Sequence, residues 1–250
     1  MLGIQDASPA SLKRFDDWYF AYYPYLFVHI PFYEWNGKDV LEVGLGYGTV
    51  SQRLAEWGAR YRGLDIAAGP AGIVNQRLRQ AGLPGEAIVG SILDAPFDDA
   101  SFDHIVAIGC LHHTGDMQRA IDECYRLLRP GGSLVFMVYY AYSYRRFMQA
   151  RGETIRYGLR ELFGYRGVVG NSRSVERAAY DSNKEGDAAP HTDWISARSL
   201  RYLCRHFTSL TARTENIAQE PPFQDRSRYD LLLTRWPNRF GLDLYGHAVK

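Results

Sequence analysis

Val40-Leu41-Glu42-Val43-Gly44-Leu45-Gly46-Tyr47-Gly48-Thr49 is the stretch that decides the fold. A short apolar run feeds three glycines at alternate positions, and the segment after them has helical spacing. Residues without a Cβ permit a tight turn and let a ligand approach the backbone closely. A helix starting at Thr49 would add free N–H groups at its N-terminus. Asp65 lies 19 residues beyond Gly46, at the end of a second predicted strand. A carboxylate there is placed to accept hydrogen bonds from ribose hydroxyls. A glycine-rich turn alone is a weak signal; the strand before it, the helix after it and Asp65 make it strong.

The ligand class follows from spacing and charge. A dinucleotide turn places its third glycine three positions after the second, but here that position is Thr49 and the glycine is Gly48. Glu42 precedes the first glycine by two residues. An anion there opposes a pyrophosphate and suits a ligand carrying a sulfonium and an α-amino group. The sign of the charge therefore favours S-adenosylmethionine over NAD.

Working outward, Ser8-Pro9 reads as an N-cap with proline at the first helical position, opening a helix to about Tyr23. Pro24 and Pro31 then break an aromatic segment. Residues 1–36 form an aromatic N-terminal cap. Residues 37–140 alternate strand and helix: strands over 39–43, 61–66, 87–90, 102–108 and 133–139, helices over 49–56, 72–81 and 117–128, with Pro130-Gly131-Gly132 as a turn. Such alternation predicts a parallel sheet with right-handed crossovers. After Tyr140 it stops. Residues 141–195 are an insert, helical at first and loop-like over 183–190. Residues 196–250 hold a capped helix over 196–206, strands near 209–216 and 242–249, and a segment, 229–236, open between helix and strand. The expected whole is one α/β, Rossmann-like, doubly wound domain with a mostly parallel seven-stranded sheet, an N-terminal helical cap and an insert after strand 5.

Composition excludes several classes. Lysine plus arginine number 29 against 28 acidic residues, so a net charge of +1 offers no field for nucleic acid. The residues 109–114 after the fourth strand also lack the proline-rich, aromatic character used against flipped bases. With 46% hydrophobic residues the chain has material for a core. Cys110, Cys124 and Cys204 are too dispersed for a disulfide framework or a metal site, and read as buried thiols in a reducing compartment. No His or Cys pair has metal-ligand spacing, and no metal is expected. The N-terminus lacks a signal-peptide pattern, and no apolar run reaches the roughly 18 residues of a membrane span. The expectation is a soluble, cytoplasmic protein; its oligomeric state is not legible.

Residues 40–49, Gly63-Leu64-Asp65, residues 90–102, Leu111-His112-His113-Thr114 and residues 126–132, in that order, resemble a class I S-adenosylmethionine-dependent methyltransferase. The likeness is to the small-molecule branch that also contains quinone and sugar methyltransferases. It is close over residues 36–140 and loose elsewhere. His191-Thr192-Asp193 and the ending Gly241-Leu242-Asp243-Leu244-Tyr245 also resemble a bacterial subgroup with mostly unassigned acceptors. The resemblance implies that Glu42, Gly44 and Gly46, with Gly48 completing the turn, meet the methionine end of the cofactor and that Asp65 meets the ribose. It places Ile66 on adenine, Ser91 and Ile92 at the adenine edge, and Gly109 and Cys110 under the sulfonium. Relatives usually have Asp where this chain has Ser91. Either the serine hydroxyl or Asp94 takes that contact, or Ser91 simply caps a turn.

Methyl transfer is an in-line displacement governed by positioning and water exclusion. A base for a hydroxyl acceptor adds roughly 10²–10⁴-fold. His112 and His113 follow the fourth strand, where open α/β sheets bind ligands, and His191 lies in the loop expected to fold over the site. These are the candidate bases; the alternative is that they shape the pocket. His29, Tyr22, Tyr23 and Tyr25 are further candidates for closing it; His104, His206 and His247 read as structural. Between residues 145 and 177 eight arginines face three glutamates, a local excess of +5. Either that is a solvated helix face or it recognises an anionic acceptor such as a phosphorylated or nucleotide-linked sugar. The expected function is methyl transfer to an O or N atom of a small-molecule acceptor, a sugar or secondary metabolite among them. A nicotinamide oxidoreductase and a non-catalytic cofactor-binding module are the alternatives.

Overall fold

The computed structural model describes residues 6–170 and 191–250. The loop expected over 183–190, together with Arg173 and Arg177 of the arginine-rich stretch, lies outside the described residues. The chain divides into two compact units, Met1–Ile108 with Asp122–Val135 and Val249–Lys250, and Gly109–Ile121 with Phe136–Ala248.

The first unit opens with α1 (Pro9–Tyr22) and α2 (Leu26–His29), followed by β1 (Asp39–Val43), α3 (Thr49–Glu56), β2 (Arg60–Asp65), α4 (Ala68–Ala81), β3 (Glu86–Val89) and β4 (Phe102–Ile108). Two further elements, α5 (Met117–Leu127) and β5 (Leu128–Tyr140), each belong partly to both units. β1 lies between β2 and β4, parallel to both, with Val40 opposite Tyr61 on one side and His104 on the other. β3 continues the parallel array beyond β2. Val40, Leu41 and Val43 are all buried, as a strand covered on both faces requires. The order in this unit is β3-β2-β1-β4 followed by the first half of β5. Strand order therefore reverses beside β1, the position at which open α/β sheets bind nucleotides.

The cap helix is fixed to this frame by chemistry that its sequence only partly announces. Ser8 accepts from the Ser11 N–H and Pro9 takes the first helical position, as expected. Asp16 then accepts from the Thr49 hydroxyl at 2.7 Å and forms a close ion pair with Arg77. Arg77 is only 5% exposed and also donates to the Tyr47 carbonyl at 2.9 Å. Phe15 packs edge-on to the Tyr47 ring at 4.8 Å. His104, stacked on Trp35 at 4.5 Å and bonded to Ser133, is structural, as expected.

In the second unit the rest of β5 pairs with a two-residue strand, β6 (Trp194–Ile195), parallel to it. Beyond β5 come β8 (Asp243–Val249) and then β7 (Ser209–Glu215). Among the described residues seven strands thus follow one path and β6, drawn from the insert, pairs off it. The insert supplies α6 (Tyr144–Gln149) and α7 (Arg151–Leu162); α8 (Ala197–Leu203), α9 (Arg228–Leu232) and α10 (Pro237–Phe240) follow. Glu161 ties α7 to the start of α8, accepting from Tyr142 at 2.6 Å and from Ser196 and Ser199 at 2.5 Å each. Among the described residues no helix is long and apolar enough to cross a membrane.

Three local expectations change. α4 starts at Ala68, a turn earlier than residue 72, because Gly69 and Pro70 sit in the first turn, where the missing proline N–H costs no helical bond. Pro130-Gly131-Gly132 is part of β5 rather than a turn before it. Gly131, at φ +79°, donates to Lys250, and Lys250 donates back to Gly132. Residues 229–236 resolve as helix at their start, where Ser227 caps α9 by accepting from Asp230.

Candidate active site

The glycine turn leaves β1 in a left-handed backbone, with φ of +77° at Gly44, +51° at Gly46 and +77° at Gly48. The glycines differ in surroundings. A Cβ on Gly46 would meet nothing within 4 Å, whereas one on Gly48 would lie 2.9 Å from Val74 and 3.0 Å from Arg77. Gly46 faces open space, and Gly48 lets α3 pack against α4. Asp65 braces the turn: its carboxylate accepts from the Leu45 N–H at 2.7 Å and from the Ala67 N–H at 2.8 Å. Each oxygen retains a lone pair for a further donor. Ile66 beside it is 78% exposed. Ser91 accepts from the Leu93 N–H at 3.1 Å and caps the short turn Ile92–Asp94. Ile92 is buried and Asp94 exposed.

Glu42 is buried behind this turn. Its carboxyl accepts from the Ser51 hydroxyl at 2.5 Å and the Tyr61 hydroxyl at 2.8 Å. Burial pushes its pKa up to about 7, against the opposing pull of those two hydrogen bonds; nearby Asp65 adds to the rise. A cationic group brought close would favour the ionised form. If the cofactor's α-amino group is that cation, binding draws a proton off Glu42 below pH 7 and affinity rises with pH. The expected gain is about tenfold between pH 6 and pH 8, a proton linkage of up to one unit. Titration of the cofactor product across that range measures it. The same slope in Glu42→Gln would remove the assignment.

In the second unit Gly109 (φ +79°) donates to the Met137 carbonyl at 3.2 Å, and half-buried Cys110 follows. His112 is fully buried, its ring 4.0 Å from Tyr139 and 4.1 Å from His113. Burial and then His113 hold its pKa well below the ordinary imidazole value, so it stays neutral; the nearby Met137 carbonyl opposes the shift without forming a well-aligned hydrogen bond. His113 is only half-buried, and its Nδ1 lies 2.7 Å from the main-chain oxygen of His191. A carbonyl only accepts, so Nδ1 carries the hydrogen; whenever the ring is neutral the lone pair is on Nε2, an atom that is itself buried. His191 is exposed. Asp193 is buried, donates its N–H to the His112 carbonyl, and has its pKa raised to about 6 by burial, with His191 and His113 opposing.

The structure thus gathers the glycine turn, Glu42, Asp65, Ile66, Ser91 and Ile92 in one unit, and His112, His113, His191 and Asp193 in the other. Ser51, Tyr61, Arg77, Asp16 and Tyr139 were missed by the sequence reading. Ser51 and Tyr61 face inward by ordinary helix and strand period, which could have pointed to Glu42. Nothing local marks Asp16 or Arg77.

A parallel α/β sheet with a glycine turn at its reversal point and an acidic residue ending β2 defines a Rossmann-like cofactor-binding protein. Residues 41–136 match a family model described as methyltransferase domain. This stretch therefore carries a methyltransferase domain, and its likeness is to class I, S-adenosylmethionine-dependent enzymes. Phosphoethanolamine N-methyltransferase 2 of Caenorhabditis elegans is 29% identical over 107 residues, covering 41% of this chain and 24% of that protein. A ubiquinone biosynthesis O-methyltransferase of Pseudomonas entomophila is 31% identical over 102 residues, 40% of this chain and 44% of its own length. The matched region therefore spans less than half of these curated relatives. A solved S-adenosylmethionine-dependent methyltransferase from Mesorhizobium loti shares the fold at 19% identity and a TM-score of 0.62, covering 92% of this chain and 98% of its own.

Proposed function

We propose that this chain, acting as a single methyltransferase domain, moves a methyl group from S-adenosylmethionine to an O or N atom of a small metabolite. The observation that carries the reading is the left-handed glycine turn locked to Asp65, with a buried carboxyl behind it suited to a cationic ligand. Glu42 faces the methionine end, Gly46 admits the ligand and Asp65 takes the ribose hydroxyls. Ile66 offers adenine an exposed apolar face. Ser91, already capping its own turn, keeps its hydroxyl for the adenine edge, beside Ile92; Gly109 and Cys110 lie at the sulfonium. His113 is the base for a hydroxyl acceptor, because its tautomer leaves Nε2 able to take a proton. Buried His112 and exposed His191 position it. The insert serves the acceptor side, and the acceptor is a small molecule met in the aqueous cell interior.

Calorimetry with S-adenosylhomocysteine and with NAD tests the cofactor. A labelled-methyl screen over sugars, sugar nucleotides, phenols and small acids then tests transfer. Binding of NAD alone would overturn the reading; tight product binding with no transfer to any acceptor would favour a binding module.

For Arg145 and Arg146, engagement within the protein favours a structural role over recognition of an anionic acceptor. Arg145 pairs with Glu220 at 2.6 Å; Arg146, only 2% exposed, pairs with Glu153 at 3.0 Å and lies 4.3 Å from the Trp194 ring. Arg145→Gln is expected to leave the acceptor KM within twofold. Arg146→Met, which leaves the half-buried Glu153 without its partner, is expected to cost about 2–4 kcal/mol of stability in urea unfolding.

A further inference from the structure

The second unit carries an apolar groove of about 610 Å³ that shares no residue with the glycine turn or the histidine cluster. Its floor is Tyr144 edge-on to Phe223 at 5.1 Å, with Trp236 5.6 Å from Phe223 and Phe240 5.7 Å from Trp236. Phe147 and Met148 form one wall, 48% and 47% exposed. A volume of this order suits a small ligand, and clustered exposed apolar side chains mark a binding surface.

The polar groups of the lining narrow the ligand further. The Tyr142 hydroxyl donates to Glu161 and the Tyr144 hydroxyl to Glu220, each at 2.6 Å. The Thr154 hydroxyl donates to the Ala150 carbonyl at 2.9 Å. Each lining hydroxyl thus has its hydrogen engaged within the protein. The remaining charged side chain of the lining, Arg226, makes no side-chain hydrogen bond or ion pair with any described residue. A guanidinium recognises a carboxylate through two parallel hydrogen bonds. Arg151 stands beside the same wall, 5.9 Å from the Phe147 ring and 3.9 Å from the Met148 sulfur. An apolar surface with cations at its rim that have no acidic partner among the described residues calls for an apolar body bearing negative charge. A peptide would bring backbone N–H and C=O groups that these walls leave unsatisfied, at a cost for each.

We propose that this groove binds a monocarboxylate with an apolar body, aliphatic or aromatic, its carboxylate on Arg226 and its body over Phe147, Phe223 and Trp236. The site stands independently of the methyl-transfer reading.

Calorimetry on the full chain with octanoate, 1-octanol and 2-naphthoate tests it. Octanoate and 2-naphthoate are expected to bind, and octanol more weakly. Arg226→Gln should weaken both carboxylates at least tenfold while octanol changes less than twofold. Phe147→Ser should weaken all three. Arg226 and Phe147 are on the surface, and unchanged binding of S-adenosylhomocysteine in both variants would show that the fold is intact. Absence of carboxylate binding, equal binding of octanoate and octanol, or insensitivity of octanoate to Arg226→Gln would each overturn the proposal. Tighter binding of a short apolar peptide would overturn it in favour of a protein-docking surface.

Discussion

Gly48→Val is expected to destabilise the domain by about 3 kcal/mol and to abolish cofactor binding. Two effects combine, each of roughly 1–3 kcal/mol: a β-branched residue held at positive φ, and overpacking of a filled site. The backbone at Gly48 has φ +77°, and even a first methyl carbon would sit 2.9 Å from Val74 and 3.0 Å from Arg77. Neither neighbour is placed to yield, since Val74 is fully buried and Arg77 is held by Asp16 and the Tyr47 carbonyl. Gly46→Ala is the control. It meets nothing within 4 Å, so its stability cost is limited to the strain of φ +51°, about 1 kcal/mol, while cofactor affinity falls. Urea unfolding and product calorimetry separate the two. A Gly48→Val protein as stable as the parent would contradict the packing described above.

The second large effect belongs to His113. His113→Gln is expected to lower kcat for a hydroxyl acceptor by roughly 10²–10⁴-fold while leaving cofactor affinity unchanged. Glutamine can still donate to the His191 carbonyl, so the local hydrogen bond survives and the basic nitrogen is lost. The discriminating readout is a series of phenols of decreasing pKa. An acceptor that is already ionised needs no base, so the deficit should shrink as acceptor acidity rises. A uniform loss across the series would mean that His113 only shapes the pocket.

The cofactor half was legible because its signals are local. Three glycines at 44, 46 and 48, a strand before them and Asp65 at the end of the next strand are features of covalent spacing, and β1, α3 and β4 appear at their expected bounds. The spacing of charge also singled out Glu42. It could not show that Ser51 and Tyr61 bond to the carboxyl, or that burial lifts its pKa to about 7, because both depend on how α3 and β2 pack. The insert was less legible for the same reason. Its positive excess looked like a surface property, yet Arg146 is buried against Trp194 and paired with Glu153. β6 is two residues long, too short for any periodicity, and is held by its pairing with β5 and by a bridge from Trp194 to Val169. His112 and His113 are adjacent in sequence but differ in burial, a distinction set by the Tyr139 ring and the His191 carbonyl.

The attachment of α1 has a consequence for how the protein responds to its cofactor. A helix of 14 residues is marginal on its own in water, so its order rests on docking; Leu12 is buried in the same cluster, and the contacts nearest the ligand turn are those of Asp16 and Phe15. Those two side chains hold Thr49 and Tyr47, which bound the ligand turn. Helix docking and turn geometry are therefore coupled, and by reciprocity whatever steadies the turn steadies the helix. Amide exchange in α1 should slow when the turn is occupied. An expression tag that strains residues 8–16 should weaken cofactor binding at a site the tag never touches.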